Sequence, residues 1–227
     1  MKRNILVLAA HPDDEVLGCG GAIARYISEG DFVHVAFISD GVFSREGDED
    51  KQAEELKSRR DSALSALGVL GVNSVSFSDF PDNRLDTVAT IEVAKVIEDL
   101  ITTHEPQLVF THHSGDVNVD HRMVHEATVV ACRPQPNHCV RTILCYEVAS
   151  STEWQLPGKN QDFCPNYYVD ISLFLDQKIR SLGEYEFEMR AWPHPRSLKS
   201  IQHLAHWRGS SVGVDAAEAF MVGRIIE

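Results

Sequence analysis

The apolar residues of this chain fall into short unbroken runs, separated by stretches in which they recur every three to four positions. Ile5-Leu6-Val7-Leu8-Ala9-Ala10 is one such run and reads as a strand buried on both faces. Phe32 to Ile38, Ser74 to Ser78, Gln107 to Thr111 and Arg141 to Tyr146 read as further strands. Between them, Gly21 to Glu29, Ala53 to Leu67, Thr87 to Thr103 and His121 to Cys132 read as helices. In the third of these, Val88, Ile91, Val93, Val96, Ile97 and Leu100 form an apolar stripe, with charged residues at the exposed positions. Strand and helix in alternation predict an α/β fold: a doubly wound, mostly parallel sheet with helices on both faces. A strand order of 3-2-1-4-5 sets the strand ending at Ala10 beside the one ending at Thr111. The crevice between those two carboxyl ends is where such sheets bind ligands. From about Ser150 the pattern is less regular, with tryptophans and prolines and then a helix near Ser172 to Met189. We read residues 1–227 as a single domain in which 150–227 form a lid and side wall.

The first strand ends in Ala10-His11-Pro12-Asp13-Asp14-Glu15, a histidine, a proline and three carboxylates in succession. Imidazole and carboxylate are ligands for zinc and similar ions, and Pro12 stiffens the turn that presents them. The plainer account is an acidic turn that caps the next helix. The strand predicted to lie alongside runs into Thr111-His112-His113-Ser114-Gly115-Asp116-Val117-Asn118-Val119-Asp120-His121-Arg122, with three histidines and two aspartates. Two ligands from the first stretch and one from the second leave an open position for water, the catalytic form of a zinc site. Water on such an ion ionises near neutral pH and attacks a carbonyl, while a free carboxylate takes its proton.

Charge and cysteine usage narrow the classes. The formal charge is −13, from 34 acidic and 21 basic residues, which argues against a nucleic-acid binder. An anionic substrate held by a few local arginines remains compatible with it. The five cysteines are scattered without a CxxC, which suits a reducing cytoplasm. Met1-Lys2-Arg3-Asn4 is basic, but only a short strand follows, so no signal peptide is read. No apolar run reaches the ~18 residues needed to span a membrane. A homo-oligomer is compatible with the sequence, which does not specify one.

His11-Pro12-Asp13-Asp14-Glu15 resembles the signature of the PIG-L / LmbE-like zinc-dependent N-deacetylases, and Thr111 to His121 resembles that family's second motif in position and form. Ser150-Ser151-Thr152-Glu153-Trp154 and Pro193-His194-Pro195-Arg196-Ser197 look like a bacterial branch of the family. The resemblance implies a Rossmann-like fold and removal of an acetyl group from an N-acetylated amino sugar or its conjugate. It implies His11, Asp14 and His121 as ligands of Zn²⁺ or another divalent metal, and Asp13 as the general base. Many members carry a histidine where this chain has Asn118. Asn118 can donate a hydrogen bond to an oxyanion but cannot deliver a proton. His112, His113 and His194 are the candidates to substitute.

Other residues have weaker claims. His194 sits between two prolines that restrict its backbone, so it is expected to reach over the metal, with Arg196 nearer the anionic end of a substrate. Asp120 is expected to orient a neighbouring ring. Arg84, in the turn Phe80 to Asp86, reads equally as a surface residue and as a substrate anchor, and His112 is taken with the substrate-binding groups. His125 lies four residues after His121, an HxxxH spacing without the HExxH glutamate. Arg59 and Arg60 read as a solvated helix face. Specificity is expected from the loops Asp40–Asp50, Phe80–Asp86 and Ser150–Pro165. Two rival functions are a metal-binding protein without catalysis and a dinucleotide-dependent oxidoreductase. The second rests on Gly18, Gly20 and Gly21, which do not fit GxGxxG.

Overall fold

A computed structural model describes residues 2–39, 49–156 and 162–227, without the side chains of 49–52. The expected specificity loop Asp40–Asp50 therefore lies almost wholly outside the described residues, as does part of Ser150–Pro165.

Five strands form the parallel part of the sheet: β1 (Asn4–Ala9), β2 (Phe32–Ser39), β3 (Ser74–Phe80), β4 (Leu108–His112) and β5 (Thr142–Tyr146). The seven-stranded order is β3-β2-β1-β4-β5-β7-β6, where β6 is Tyr167–Asp170 and β7 is Ala217–Ile225. The chain passes from β3 at one edge to β4 on the far side of β1, so β1 and β4 lie side by side at the point where the order reverses, as the sequence predicts. Burial on both faces explains the unbroken apolar run of β1. Ile5, Val7 and Ala9 enter one core, while Leu6, Leu8 and Ala10 enter the other.

One face is covered by α1 (Asp14–Ser28), α2 (Glu49–Leu70), α5 (Leu175–Gly183) and α6 (Leu198–Ser210), and the other by α3 (Thr90–His104) and α4 (Val119–Ala131). The segment 150–227 also contributes to the sheet. Its β7 pairs antiparallel with β5 and β6, so two of the seven strands come from it. No helix among the described residues is long and apolar enough to cross a membrane.

Helix α1 begins at Asp14, seven residues before the predicted start, and breaks at Cys19 (φ −146°, ψ 21°). The break frees backbone groups inside the protein, and these need partners. Glu218 accepts the N–H groups of Gly21 and Ala22 at 2.9 and 2.7 Å, and Lys178 Nζ donates to Leu17 O at 2.9 Å and to Glu218 at 2.6 Å. The glycines here serve packing. A Cβ on Gly18 would lie 2.2 Å from the Tyr146 ring, and one on Gly21 would lie 2.7 Å from Ile171. They line a helix–core contact rather than a phosphate cradle, which removes the basis of the dinucleotide reading.

Candidate active site

The turn after β1 is tightly specified. Asp13 has φ +117°, a conformation costly for a non-glycine residue and typical of functional turns. The Glu15 carboxylate holds it there by accepting the Asp13 N–H at 3.0 Å, and Tyr185 Oη donates to the other Glu15 oxygen at 2.5 Å. Burial pushes the Glu15 carboxyl up to about 8. The Asp14 carboxylate accepts the His11 N–H at 2.9 Å, so side chain and backbone of the turn brace each other.

The turn after β4 and the start of α4 face it. His121 Nε2 lies 3.2 Å from Asp14 Oδ2, and His11 Nδ1 lies 3.4 Å from the same oxygen. The far sides of both rings meet carboxylates. His121 Nδ1 is 3.2 Å from Asp116, and His11 Nε2 is 3.0 Å from Asp120. Asp116 also accepts from Ser151 Oγ and, at 2.7 Å, from Thr152 Oγ1. Burial would raise its pKa, but His121 and the two hydroxyls outweigh burial and hold it at about 2. Burial pulls the His121 imidazole down, yet Asp14 and Asp116 carry it up to about 9.

His11, Asp14 and His121 place one potential ligand atom each within 4.8 Å of one another, and His11, Asp82 and Asp120 form a second such group. Hydrogen bonding separates the two. Asp120 is already satisfied by the backbone N–H groups of Asn83 (2.6 Å) and Leu85 (3.0 Å). Asp14 Oδ1 is buried without a hydrogen-bond partner, and His121 Nε2 is turned toward Asp14 Oδ2, 3.2 Å away. A buried carboxylate oxygen without a partner is expensive, and imidazoles and a carboxylate brought together in the interior fit a cation. The first group therefore fits a metal, and Asp120 serves as the carboxylate that fixes the His11 ring and anchors the Asn83–Leu85 turn.

Three of the expected site residues are already bonded within the protein. His112 has no exposed surface: its Nε2 accepts the Ala10 N–H at 2.8 Å, and its ring stacks under His121 with centroids 4.0 Å apart. It supports the His121 ring and has no face for a substrate. Asn118 is the N-cap of α4, its Oδ1 accepting the N–H groups of Asp120 (2.8 Å) and His121 (3.4 Å). Only its amide N–H₂ is left for an oxyanion, and that lies 3.3 Å from Asn83 Oδ1. Arg196 is turned inward, with Nη1 donating to Asp13 Oδ2 at 2.7 Å. Of the remaining candidates, Arg84 is exposed on the turn that Asp120 anchors. His194 accepts the Arg196 N–H at Nδ1 (3.1 Å) and meets Trp154 edge-on at 5.7 Å. His125 lies outside both ligand groups, its Nδ1 bonded to His112 O at 2.9 Å.

Asp13 is 2% exposed. Burial raises its pKa to about 7, against the pull of Arg196. A buried carboxylate whose pKa is raised in this way suits proton transfer near neutrality. Sequence reasoning missed Asp116 and Glu188. Asp116 lay in the quoted motif, but Asp116 and Asp120 are indistinguishable by type, and only the fold of the turn before α4 assigns each to a ring.

The family pattern of PIG-L, GlcNAc-PI de-N-acetylase, matches residues 6–132, and the chain belongs to that family. It is 30% identical over 155 residues to the uncharacterized deacetylase YaiS of Escherichia coli, covering 66% of this chain and 76% of that one. It is 25% identical over 243 residues to the 1D-myo-inositol 2-acetamido-2-deoxy-alpha-D-glucopyranoside deacetylase of Gordonia bronchialis, covering 83% and 85%. Among solved structures it is similar to GalB, the 4-carboxy-2-hydroxymuconate hydratase of Pseudomonas putida, with a TM-score of 0.76 and 25% identity, covering 100% of this chain and 99% of that one.

Proposed function

We propose that the protein is a zinc-dependent hydrolase that removes the acetyl group from an N-acetylated amino sugar or its conjugate. The observation that carries this reading is the buried group His11, Asp14 and His121, whose ligand atoms lie within 4.8 Å of one another and whose Asp14 Oδ1 has no hydrogen-bond partner, next in sequence to the buried Asp13. The family description and the Gordonia relative's acetamido sugar supply the substrate class. His11, Asp14 and His121 would hold the ion. A divalent ion held there supplies the Lewis acid that activates water and polarises the amide carbonyl.

Asp13 takes the proton of the attacking water and returns it to the amine as the C–N bond breaks, giving acetate and the free amino sugar. Asp116 and Asp120 keep the two ligand rings in one orientation. His194, with its Nδ1 committed to the Arg196 N–H, offers Nε2 to the reacting carbonyl. The Asn118 amide N–H₂ is a second donor for the oxyanion, and Arg84 anchors the substrate at the rim. The five free cysteines suit a reducing cytoplasm.

The test is zinc-loaded protein against a panel of N-acetylhexosamine conjugates, following acetate and primary amine in equal amounts. The likeness to GalB supplies the rival, hydration of an unsaturated tricarboxylate, assayed with 4-carboxy-2-hydroxymuconate. Hydration without acetate release would replace the deacetylase reading. Zinc binding with neither reaction would favour a non-catalytic metal protein.

A further inference from the structure

The Asp13 carboxylate is held from the far end of the chain. Arg196 lies in the segment between α5 and α6, and its guanidinium has three partners. Nη1 donates to Asp13 Oδ2 at 2.7 Å and to Glu188 Oε2 at 3.3 Å, and Nε donates to Ser150 Oγ at 2.8 Å. Its backbone is fixed as well: the N–H donates to His194 Nδ1 at 3.1 Å, and the carbonyl accepts from Arg190 N–H at 3.3 Å. Glu188 is held in turn, with Oε1 at 3.0 Å from Arg59 Nη2 on α2. Charges alternate from the interior outward as Asp13, Arg196, Glu188 and Arg59. Their side chains are 3%, 20%, 18% and 23% exposed, so the row leads from the buried carboxylate toward solvent.

A guanidinium is planar, and its donors point in fixed directions. With Nε on Ser150 and Nη1 shared by Glu188 and Asp13, its plane is set before it meets Asp13. An anion approaching Arg196 would have to break the pair with Asp13, which argues against Arg196 as a substrate anchor. Asp13 is thus fixed twice, its strained backbone by Glu15 and its side chain by Arg196. Arg196 occupies one carboxylate oxygen, which leaves Oδ1 for proton transfer.

We propose that Arg196 is a positioning residue that aims the Asp13 carboxylate, and that Glu188 and Arg59 hold Arg196 in register from α2. This rests on Asp13 being the base. Misplacing a reacting group by an ångström costs on the order of 10²-fold in rate without weakening substrate binding.

The experiment compares Arg196→Ala, Arg196→Lys, Glu188→Gln and Asp13→Asn in zinc-loaded protein, on a substrate the wild type deacetylates. For Arg196→Ala the expected result is a kcat about 10–100-fold lower, with KM within about threefold, metal content unchanged and partial rescue by low-millimolar guanidinium. Arg196→Lys should recover only part of the rate, because an ammonium keeps the charge but loses the fork. Glu188→Gln should lower kcat less, and add little on top of Arg196→Ala. A raised KM with kcat preserved in Arg196→Ala would overturn the proposal and make Arg196 a substrate anchor.

A readout free of turnover is the melting-temperature cycle between Arg196→Ala and Asp13→Asn. Non-additive shifts are expected, and additive ones would overturn the coupling. Should Arg196→Ala not fold, Glu188→Gln carries the test: a kcat loss supports the proposal and a KM change alone defeats it. Full activity in Asp13→Asn removes the base itself, and the positioning role with it. Loss of activity in Asp13→Asn beside an unimpaired Arg196→Ala defeats only the positioning role.

Discussion

Two pairs of stacked histidines stand at opposite ends of the sheet. His112 and His121, at the carboxyl ends of the strands, have ring centroids 4.0 Å apart and planes 17° apart. His34, near the start of β2, and His104, at the end of α3, have centroids 3.9 Å apart and planes 20° apart. The geometry is nearly the same, but the surroundings are not. His34 is bonded at both nitrogens to hydroxyls, Ser74 Oγ at 2.7 Å and Ser76 Oγ at 2.9 Å. Burial, with His104 beside it, pushes the His34 imidazole down to about 4. His121 has Asp14 and Asp116 on its two nitrogens, and against burial they carry it up to about 9. A stacked, buried histidine pair is therefore not itself a site. Carboxylates that favour positive charge on the ring side facing Asp14 distinguish the functional pair, and the same carboxylates favour a divalent ion.

The strongest way to break this contrast is to delete the ligand ring. His121→Ala leaves two protein ligands, and loss of metal after dialysis together with loss of deacetylation is expected, read as metal per chain. Full metal retention would move the site to the second group, His11, Asp82 and Asp120. Asp13→Asn should keep metal and fold while kcat falls about 10²–10⁴-fold, the usual scale for a general base. Near-normal turnover would remove Asp13 from the chemistry.

Asp116→Asn makes the site pair more like the distal one, because His121 loses a charged partner. Metal affinity should fall about 10–100-fold in a competition titration, the scale typical of carboxylates behind a ligand ring. An unchanged affinity would show that stacking on His112 is enough to orient His121.

The smallest effect belongs to the distal pair. An unfolded chain protonates His34 near pH 6.5, whereas the folded protein does so only near pH 4. Between those values the unfolded state binds more protons, so this contribution to stability is present above pH 6.5 and is lost as pH falls toward 4. His34→Gln should flatten the pH dependence of the melting temperature over that window and leave kcat unchanged. A change in kcat would mean that the two ends of the sheet are coupled.

The sheet order around β1 and β4 was readable in the chain because burial on both faces leaves a continuous apolar signature, and because parallel strands require crossovers. The site turns were readable for the related reason that so many polar groups at the end of a core strand are costly without a use. The start of α1 was not, since Gly18 and Gly20 weigh against helix on propensity, while Gly18 is needed for close packing on Tyr146, distant in sequence. The tail misled for a similar reason. Tyr167–Asp170 is short and only partly buried, and Ala217–Ile225, though nine residues long, loses its burial after Phe220, so periodicity alone could not mark them as strands.

The local sequence by itself determined which residues are chemically competent and the turns that carry them, because turn chemistry and strand burial act over a few neighbours. Which carboxylate serves which ring, and where Arg196 points, were decided by tertiary structure alone. Asp116 lies in the turn before α4 and Asp120 in the first turn of that helix, and this placement sends one to His121 and the other to His11. Arg196 reaches Asp13 across 183 residues of chain, a contact that no local pattern can encode.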